Sequence, residues 1–549
     1  MWSGWRGWVL VRLPFRMVSK CENVTGGREA SVEEYGLDGL AASAEAVAAG
    51  LGPLAVMLAR LAVAAGQAVT LEDMELLASE QGREILRGVL QLSLDKQALA
   101  EVRVAAVAGA DGVTRARAEP GHARTVVTTL GEVRVRRIAY RSGVKGAGSL
   151  FPRDAVLGLP PCRYSWQLQR LAEMFARAGS YEQAREFVAA AAGVRIGKRQ
   201  LEQVTVAAAA DAERFCQDRG QVAVPPAGDS GQERDLPPLA ISADGKGVAM
   251  RPGARRRRTL APGQRARNFD KRRGTGEKGH KRMAETGCVL DVAPPDPDGP
   301  ERTAGHVMRR EPGTAPNAPR AVNRWYACDI TAGRDVTIGR LFDEADRRDP
   351  DHLRTWIALV DGDLHQLGLI RGQAAARGVT ITILVDFIHV LEYLRKAAWC
   401  FHPPRDPAME DWVTAQGTDI LAGRVTDVIT RIRQLARDQP PRPGGEHARI
   451  IRKTLHYLTA KQPCLDYPTA LASGWPIATG VIEGACRHLV QDRMGITGAR
   501  WGLEGAQAIL WLRALHASGD HDIYRAWHLR QEHQRNHLSR YHTSFDLAA

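Results

Sequence analysis

Three carboxylates far apart in the chain have the chemistry of a divalent-metal site. Asp244 ends the apolar run 239–243, Asp361 ends the apolar run 356–360, and Glu483 opens a predicted helix. They are separated by 117 and 122 residues, so only a folded sheet and a helix packed on it can gather them. Two-metal phosphoryl transfer needs such a set: hard oxygen ligands around two divalent ions about 3.5–4 Å apart, one activating the attacking oxygen and one stabilising the leaving oxygen. Each acid also has a plainer reading. Asp244 precedes Gly245-Lys246-Gly247 and fits a turn, and Glu483 fits a helix-dipole partner. Asp361 is followed by Gly362 and by Asp363, which competes for the ligand role; Asp361 is preferred because it directly continues the buried run.

Asp386 and His389 form a second element, 25 residues after Asp361. Three residues apart at a helix start they share a face, so they can brace the acid site or hold the scissile strand; taken alone they fit an N-cap and a satisfied histidine. A third element is charge. The chain carries a net +13, and thirteen basic residues against two acidic ones lie between Arg251 and Arg282, a local net of +11. This run, with Arg255, Arg256, Arg257 and Arg258 at its head, adjoins Asp244 and favours a polyanion partner over a merely solvated loop.

The elements that must position these residues follow from periodicity. Strands are predicted at 239–244, 285–292 and 324–330, a helix near 336–347, then a strand at 355–361, a helix at 364–376, a strand at 379–386 and a helix at 387–401. Three strands followed by alternating helix and strand is the order of an RNase H-like α/β core. Residues 406–472 read as helices without a strand signal, an all-α insertion before the Glu483 helix. The catalytic core is therefore expected in two pieces, 239–405 and 473–520, with a C-terminal tail at 521–549.

Upstream, 1–30 is an N-terminal extension of uncertain start, 31–150 is helical with a β-hairpin whose return strand has a basic outer face, and 225–238 is a linker. Between them, 151–224 is helical and contains a helix-turn-helix pattern: Ser180 as N-cap, a turn around 193–197, and a second helix carrying Lys198, Arg199, Gln200 and Gln203. These side chains suit base or phosphate contact, although generic paired helices share the pattern.

Several blocks in order, among them ADGKGV (243–248), LVDGDLHQL (359–367), DFIHVLEYLRKAAWCFHP (386–403) and GVIEGACRHLVQDRMGITGARW (480–501), resemble the motif blocks of bacterial insertion-sequence transposases of the Kra family. GREILRGVLQ (82–91) and RRIAYRSG (136–143) extend the resemblance over most of residues 80–530. Arg395 departs from it, standing where the family is expected to place an aromatic residue. The resemblance implies an RNase H-like core with a DDE triad on Asp244, Asp361 and Glu483, and an Asp/Cys-x-x-His element, shared with Mutator-like transposases, on Asp386 and His389. It implies a DNA transposase that cuts transposon ends and joins them to target DNA, using two Mg²⁺ ions for which Mn²⁺ can substitute. Double-stranded DNA, both terminal inverted repeats and target, is the expected partner, with a homodimer or higher assembly on paired ends. Alternatives from other classes are a non-catalytic DNA-binding protein derived from a transposase, and a nuclease of the same fold that cuts without joining.

Chemistry adds further expected DNA contacts. Arg487 lies one turn beyond Glu483, and Arg493, Arg500 and Trp501 follow; guanidinium groups grip phosphates and an indole can stack on a base, while core packing is the competing role for the tryptophan. At 549 residues several folding units are expected. No apolar stretch reaches the roughly 18 residues of a spanning helix, and the opening segment lacks an export-signal centre, with Met17 an alternative start. The eight cysteines contain no C-x-x-C pair. These features lead to the expectation of a membrane-free, cytoplasmic protein without disulfides.

Overall fold

A computed structural model describes residues 70–220, 236–254, 281–299, 302–308, 317–403, 406–438 and 445–542, together with Gly52. The chain divides into two compact units, Met1–Thr70 and Leu71–Ala549, and the described residues belong almost wholly to the second. The N-terminal extension, most of the 225–238 linker and Arg255–Arg258 lie outside the described residues.

The second unit opens with α1 (Leu71–Leu99), the short strands β1 (Val107–Ala108) and β2 (Thr114–Arg115), and the hairpin β3 (Arg117–Thr128) and β4 (Gly131–Arg141). The predicted hairpin is present, and α1 lies against β4: Gln91 exchanges two hydrogen bonds with the Arg134 backbone, at 2.7 and 3.0 Å. Helices α2 (Pro152–Val156), α3 (Trp166–Ala178), α4 (Tyr181–Ala192), α5 (Lys198–Ala208) and α6 (Ala212–Gly220) follow. Ser180 starts α4 with a full capping box, its hydroxyl accepting from Gln183 N–H while the Gln183 side chain accepts from Ser180 N–H. Gly193 ends α4 at φ +65°, a left-handed position open to glycine, so the chain turns sharply into α5. Leu168, Ala172, Val188, Ile196 and Leu201 bury the common face of α3, α4 and α5.

The sheet contains β5 (Leu239–Ala249), β6 (Lys281–Ala293), β7 (Arg320–Asp329), β8 (Trp356–Val360) and β9 (Ile381–Val385) in the order β7-β6-β5-β8-β9. β6 is antiparallel to β5 and β7, whereas β5, β8 and β9 are parallel. This is a mixed α/β fold. Its connecting helices are α7 (Ala304–Met308), α8 (Arg334–Arg348), α9 (Leu364–Arg377) and α10 (Phe387–Ala398). The side-chain alternation of β5 builds two layers. Leu239, Ile241 and Ala243 pack with Leu341 and Phe342 of α8 and Leu367 of α9. Ala240 and Val248 pack on the opposite face with Ile482, Leu489 and Leu510. A Cβ on Gly287 would stand 2.6 Å from the Leu341 side chain, so the bare backbone of β6 is what lets α8 lie this close.

As expected, 406–472 contains no strand among its described residues: α11 (Pro407–Leu421), α12 (Val425–Asp438), α13 (Gly445–Lys461) and α14 (Tyr467–Ala472) carry the chain from α10 to α15 (Gly480–Ala485). α15 continues through a π-helical turn, Cys486–Gln491, into α16 (Asp492–Met494). α17 (Leu503–Ala517) and α18 (His521–Asn536) complete the unit. The stretch expected to be a tail is thus mostly helix. α18 folds back on the upstream helices, with the Tyr524 hydroxyl donating to the Ala208 carbonyl at 2.7 Å and His528 meeting Asp211 at 2.6 Å. Apolar burial of Phe215, Trp511 and Tyr524 drives that return.

Candidate active site

The parallel register puts three aspartates side by side. Ser242 of β5 pairs with Leu359 of β8, which pairs with Leu384 of β9. Asp244, Asp361 and Asp386 each follow these partners by two residues, Asp244 still within β5 and Asp361 and Asp386 just past the ends of β8 and β9. The carboxyl ends of parallel strands are where α/β sheets gather function.

Asp244 is half-buried and its strand does not end there, because β5 stays paired with β6 as far as Ala249. Its Oδ1 accepts the Gly245 N–H at 2.6 Å. The Cys486 thiol, three residues beyond Glu483, lies near Asp244; burial and then this carboxylate push the thiol up. Asp361 is exposed and its Oδ1 accepts the Asp363 N–H at 2.9 Å. Asp363 is already committed, capping α9 through Gln366 N–H at 2.9 Å and pairing with Arg334 at 2.9 Å. The Gln366 side chain in turn donates to the Ala243 carbonyl at 2.6 Å, tying the loop after β8 to the strand bearing Asp244.

Glu483 is exposed in the first turn of α15. One ligand atom each from Asp386, His389 and Glu483 lies within 4.8 Å of the others, so the Asp386 element and the predicted helix acid share one site. Among the described residues, Asp244 and Asp361 do not join a group at that spacing. Asp361 is held by the turn after β8 through Asp363 N–H, whereas Asp244 lies within the β5–β6 ladder.

Two cations flank the acids, and sequence reading passed over both. Burial lowers the Arg334 guanidinium, but Glu285, Asp363 and Asp361 outweigh it and hold it above its ordinary value. Lys461, at the end of α13, is 4% exposed and its Nζ has no hydrogen-bond partner. Burial lowers its ammonium, with Asp363 and Asp361 among the groups opposing the shift. Its Cε would lie 3.4 Å from a Cβ on Gly362, whose φ of +90° already suits glycine.

The expected DNA-contacting residues divide. Lys198, Arg199, Gln200 and Gln203 are exposed on α5, and Arg487 and Arg500 are exposed around the Glu483 segment. Arg493 and Trp501 are instead core residues, 2% and 6% exposed. The Arg493 guanidinium sits 4.7 Å from the Trp501 ring and 5.1 Å from the Tyr181 ring, and its Nε donates to the Ala176 carbonyl at 2.7 Å. Burial lowers Arg493 to about 10, and the residue joins α3 and α4 to the Glu483 segment. Arg493→Ala is therefore expected to destabilise the fold by about 2–4 kcal/mol, from lost cation–π and packing contacts. Denaturant unfolding measures this, and an unchanged stability would contradict the packing role.

The seven cysteines among the described residues are all free, and no described helix is long and apolar enough to cross a membrane. Compared with known proteins, the chain matches no protein-family model and no curated protein at a significant level.

Proposed function

We propose that the protein is a DNA transposase with an RNase H-like core interrupted by the α11–α14 insertion, cutting element ends and joining them to target DNA. The observation that supports this reading is that Asp244 on β5, Asp361 just past β8 and Asp386 just past β9 lie on three neighbouring parallel strands, with Glu483 of α15 grouped with Asp386 and His389. The donor set fits the inferred cofactor, since carboxylate oxygens suit Mg²⁺ or Mn²⁺ and the site is open enough to keep water and phosphate as further ligands. Bound there, two such ions would supply Lewis acidity and a nucleophile at neutral pH.

The chain's own residues do the positioning. Asp244, Asp361 and Glu483 are assigned as ligands, with Asp386 and His389 in support. The backbone of β5 and β8 fixes the first two, and Gln366 locks the loop that carries Asp361. Exposed Arg487 and Arg500 are suited to grip the phosphates of the strand being cut. Exposed Lys198, Arg199 and Gln203 on α5 are suited to read the terminal repeat. The basic run from Arg255 follows residues 250–254, which are tied to the Glu483 segment through Arg251 N–H to the Trp501 carbonyl at 2.8 Å. Pairing of two ends requires at least two copies of the chain.

The test uses DNA from the flanks of the coding sequence, bearing short inverted repeats, incubated with the protein and Mg²⁺ or Mn²⁺. Cleavage at the repeat ends followed by joining of the freed 3′ ends to a second duplex is the expected result. Cleavage without joining would favour a nuclease, and binding without cleavage a DNA-binding derivative.

A further inference from the structure

We infer that Thr479 is a positioning residue that fixes Glu483 against the strand ends by way of Asp386, an inference that rests on the proposed role of Glu483 as a ligand. Asp386 is fully buried, yet no cation lies within ion-pair distance among the described residues. Its carboxyl oxygens are met by hydrogen bonds instead. Oδ1 accepts the Ile388 N–H at 2.7 Å and caps α10. Oδ2 accepts both the N–H of Thr479, at 3.1 Å, and the Thr479 hydroxyl. A buried carboxylate needs such donors, and two of the three come from one residue.

Thr479 gives up an ordinary role to supply them. It stands at the N-cap of α15, where a threonine hydroxyl normally accepts from the helix's own free N–H groups, but it makes no such bond. Its hydroxyl oxygen instead lies 3.5 Å from Glu483 Oε1 while serving Asp386. The first backbone bond of the helix also runs from Glu483 N–H to the Thr479 carbonyl, at 3.1 Å. The connection from the end of β9 to the helix acid is therefore continuous: Asp386, Thr479, Glu483.

This anchoring matters because α15 is only six residues long and passes at once into a π-helical turn, so its own length does not fix where its first turn lies. A hydroxyl carries one proton. While that proton points at Asp386, the Glu483 carboxylate is not occupied by the Thr479 hydroxyl. The segment has a second tie that the Thr479 side chain does not supply, Phe387 N–H to the Ile477 carbonyl at 2.9 Å, so removing the hydroxyl should leave the chain folded.

The test compares wild type, Thr479→Val and Thr479→Ser, each as the full chain, for metal-dependent cleavage and for Mn²⁺ binding by titration. Thr479→Val, which exchanges the hydroxyl for a methyl, is expected to lower kcat about 10–100-fold and raise the Mn²⁺ concentration for half-saturation, with KM for DNA unchanged. Thr479→Ser should restore both to within a few-fold of wild type. Wild-type kcat and Mn²⁺ affinity in Thr479→Val would overturn the inference, as would a serine variant as impaired as the valine one. If wild type cleaves no DNA, the proposed function falls, and the Mn²⁺ titration still decides: an unchanged affinity in Thr479→Val overturns the anchoring role, and a weakened one restored by serine supports it.

Discussion

Replacing Asp244, Asp361 or Glu483 by its amide is expected to lower metal-dependent DNA cleavage at least about 10³-fold, since each change removes a ligand charge from the place where charge develops. Folding should survive in all three variants. Asp361 and Glu483 are exposed, and an amide at position 244 can still accept from Gly245 N–H and from the Cys486 thiol. Cleavage measured beside thermal unfolding separates loss of chemistry from loss of structure. Asp363→Asn is the informative neighbour. Asp363 is occupied with capping α9 and pairing Arg334, so its amide should cost some stability and spare most of the cleavage. If Asp361→Asn cleaves like wild type while Asp363→Asn does not, the ligand role passes to Asp363.

Neutralising Arg255, Arg256, Arg257 and Arg258 together should produce the largest change in DNA affinity. Log affinity falls with log salt at about 0.9 per phosphate neutralised, so losing four contacts shrinks the slope by up to roughly 3–4 units. These residues lead a segment with a local net charge of +11, which accounts for most of the chain's +13. Titration of random-sequence duplex at several salt concentrations gives the slope directly, and an unaltered slope would assign the run to another partner.

The strands that carry the acids were legible because apolar runs of five or six residues, bounded by Gly and Asp, leave few alternatives. Asp244 and Asp361 stood out by where those runs end, Glu483 by opening a helix, and Asp386 by its spacing from His389 at a helix start. The continuation of β5 to Ala249 was not legible: Gly245 and Gly247 break the periodicity, and only the ladder with β6 keeps that stretch extended. Arg493 and Trp501 stood among the expected DNA contacts because a guanidinium can grip phosphate and an indole can stack on a base, with core packing the competing role for Trp501. Their burial depends on Tyr181, more than 300 residues upstream. Thr479 was invisible for the same reason, since its partner Asp386 lies 93 residues earlier in the chain. Lys461 gave no signal either, because a lysine at the end of a helix ordinarily faces water. The helix within the C-terminal stretch was not legible because its sequence is strongly polar, and its packing rests on a few residues such as Tyr524 and His528.

We propose that Asp244 of β5, Asp361 just past β8 and Glu483 of α15 together hold divalent metal. Mn²⁺ binding followed by electron paramagnetic resonance tests it without relying on activity. Wild type should bind about two more Mn²⁺ ions per chain than a variant carrying Asp244→Asn, Asp361→Asn and Glu483→Gln together, and Mg²⁺ should displace them. Equal Mn²⁺ binding by the two proteins would contradict the account.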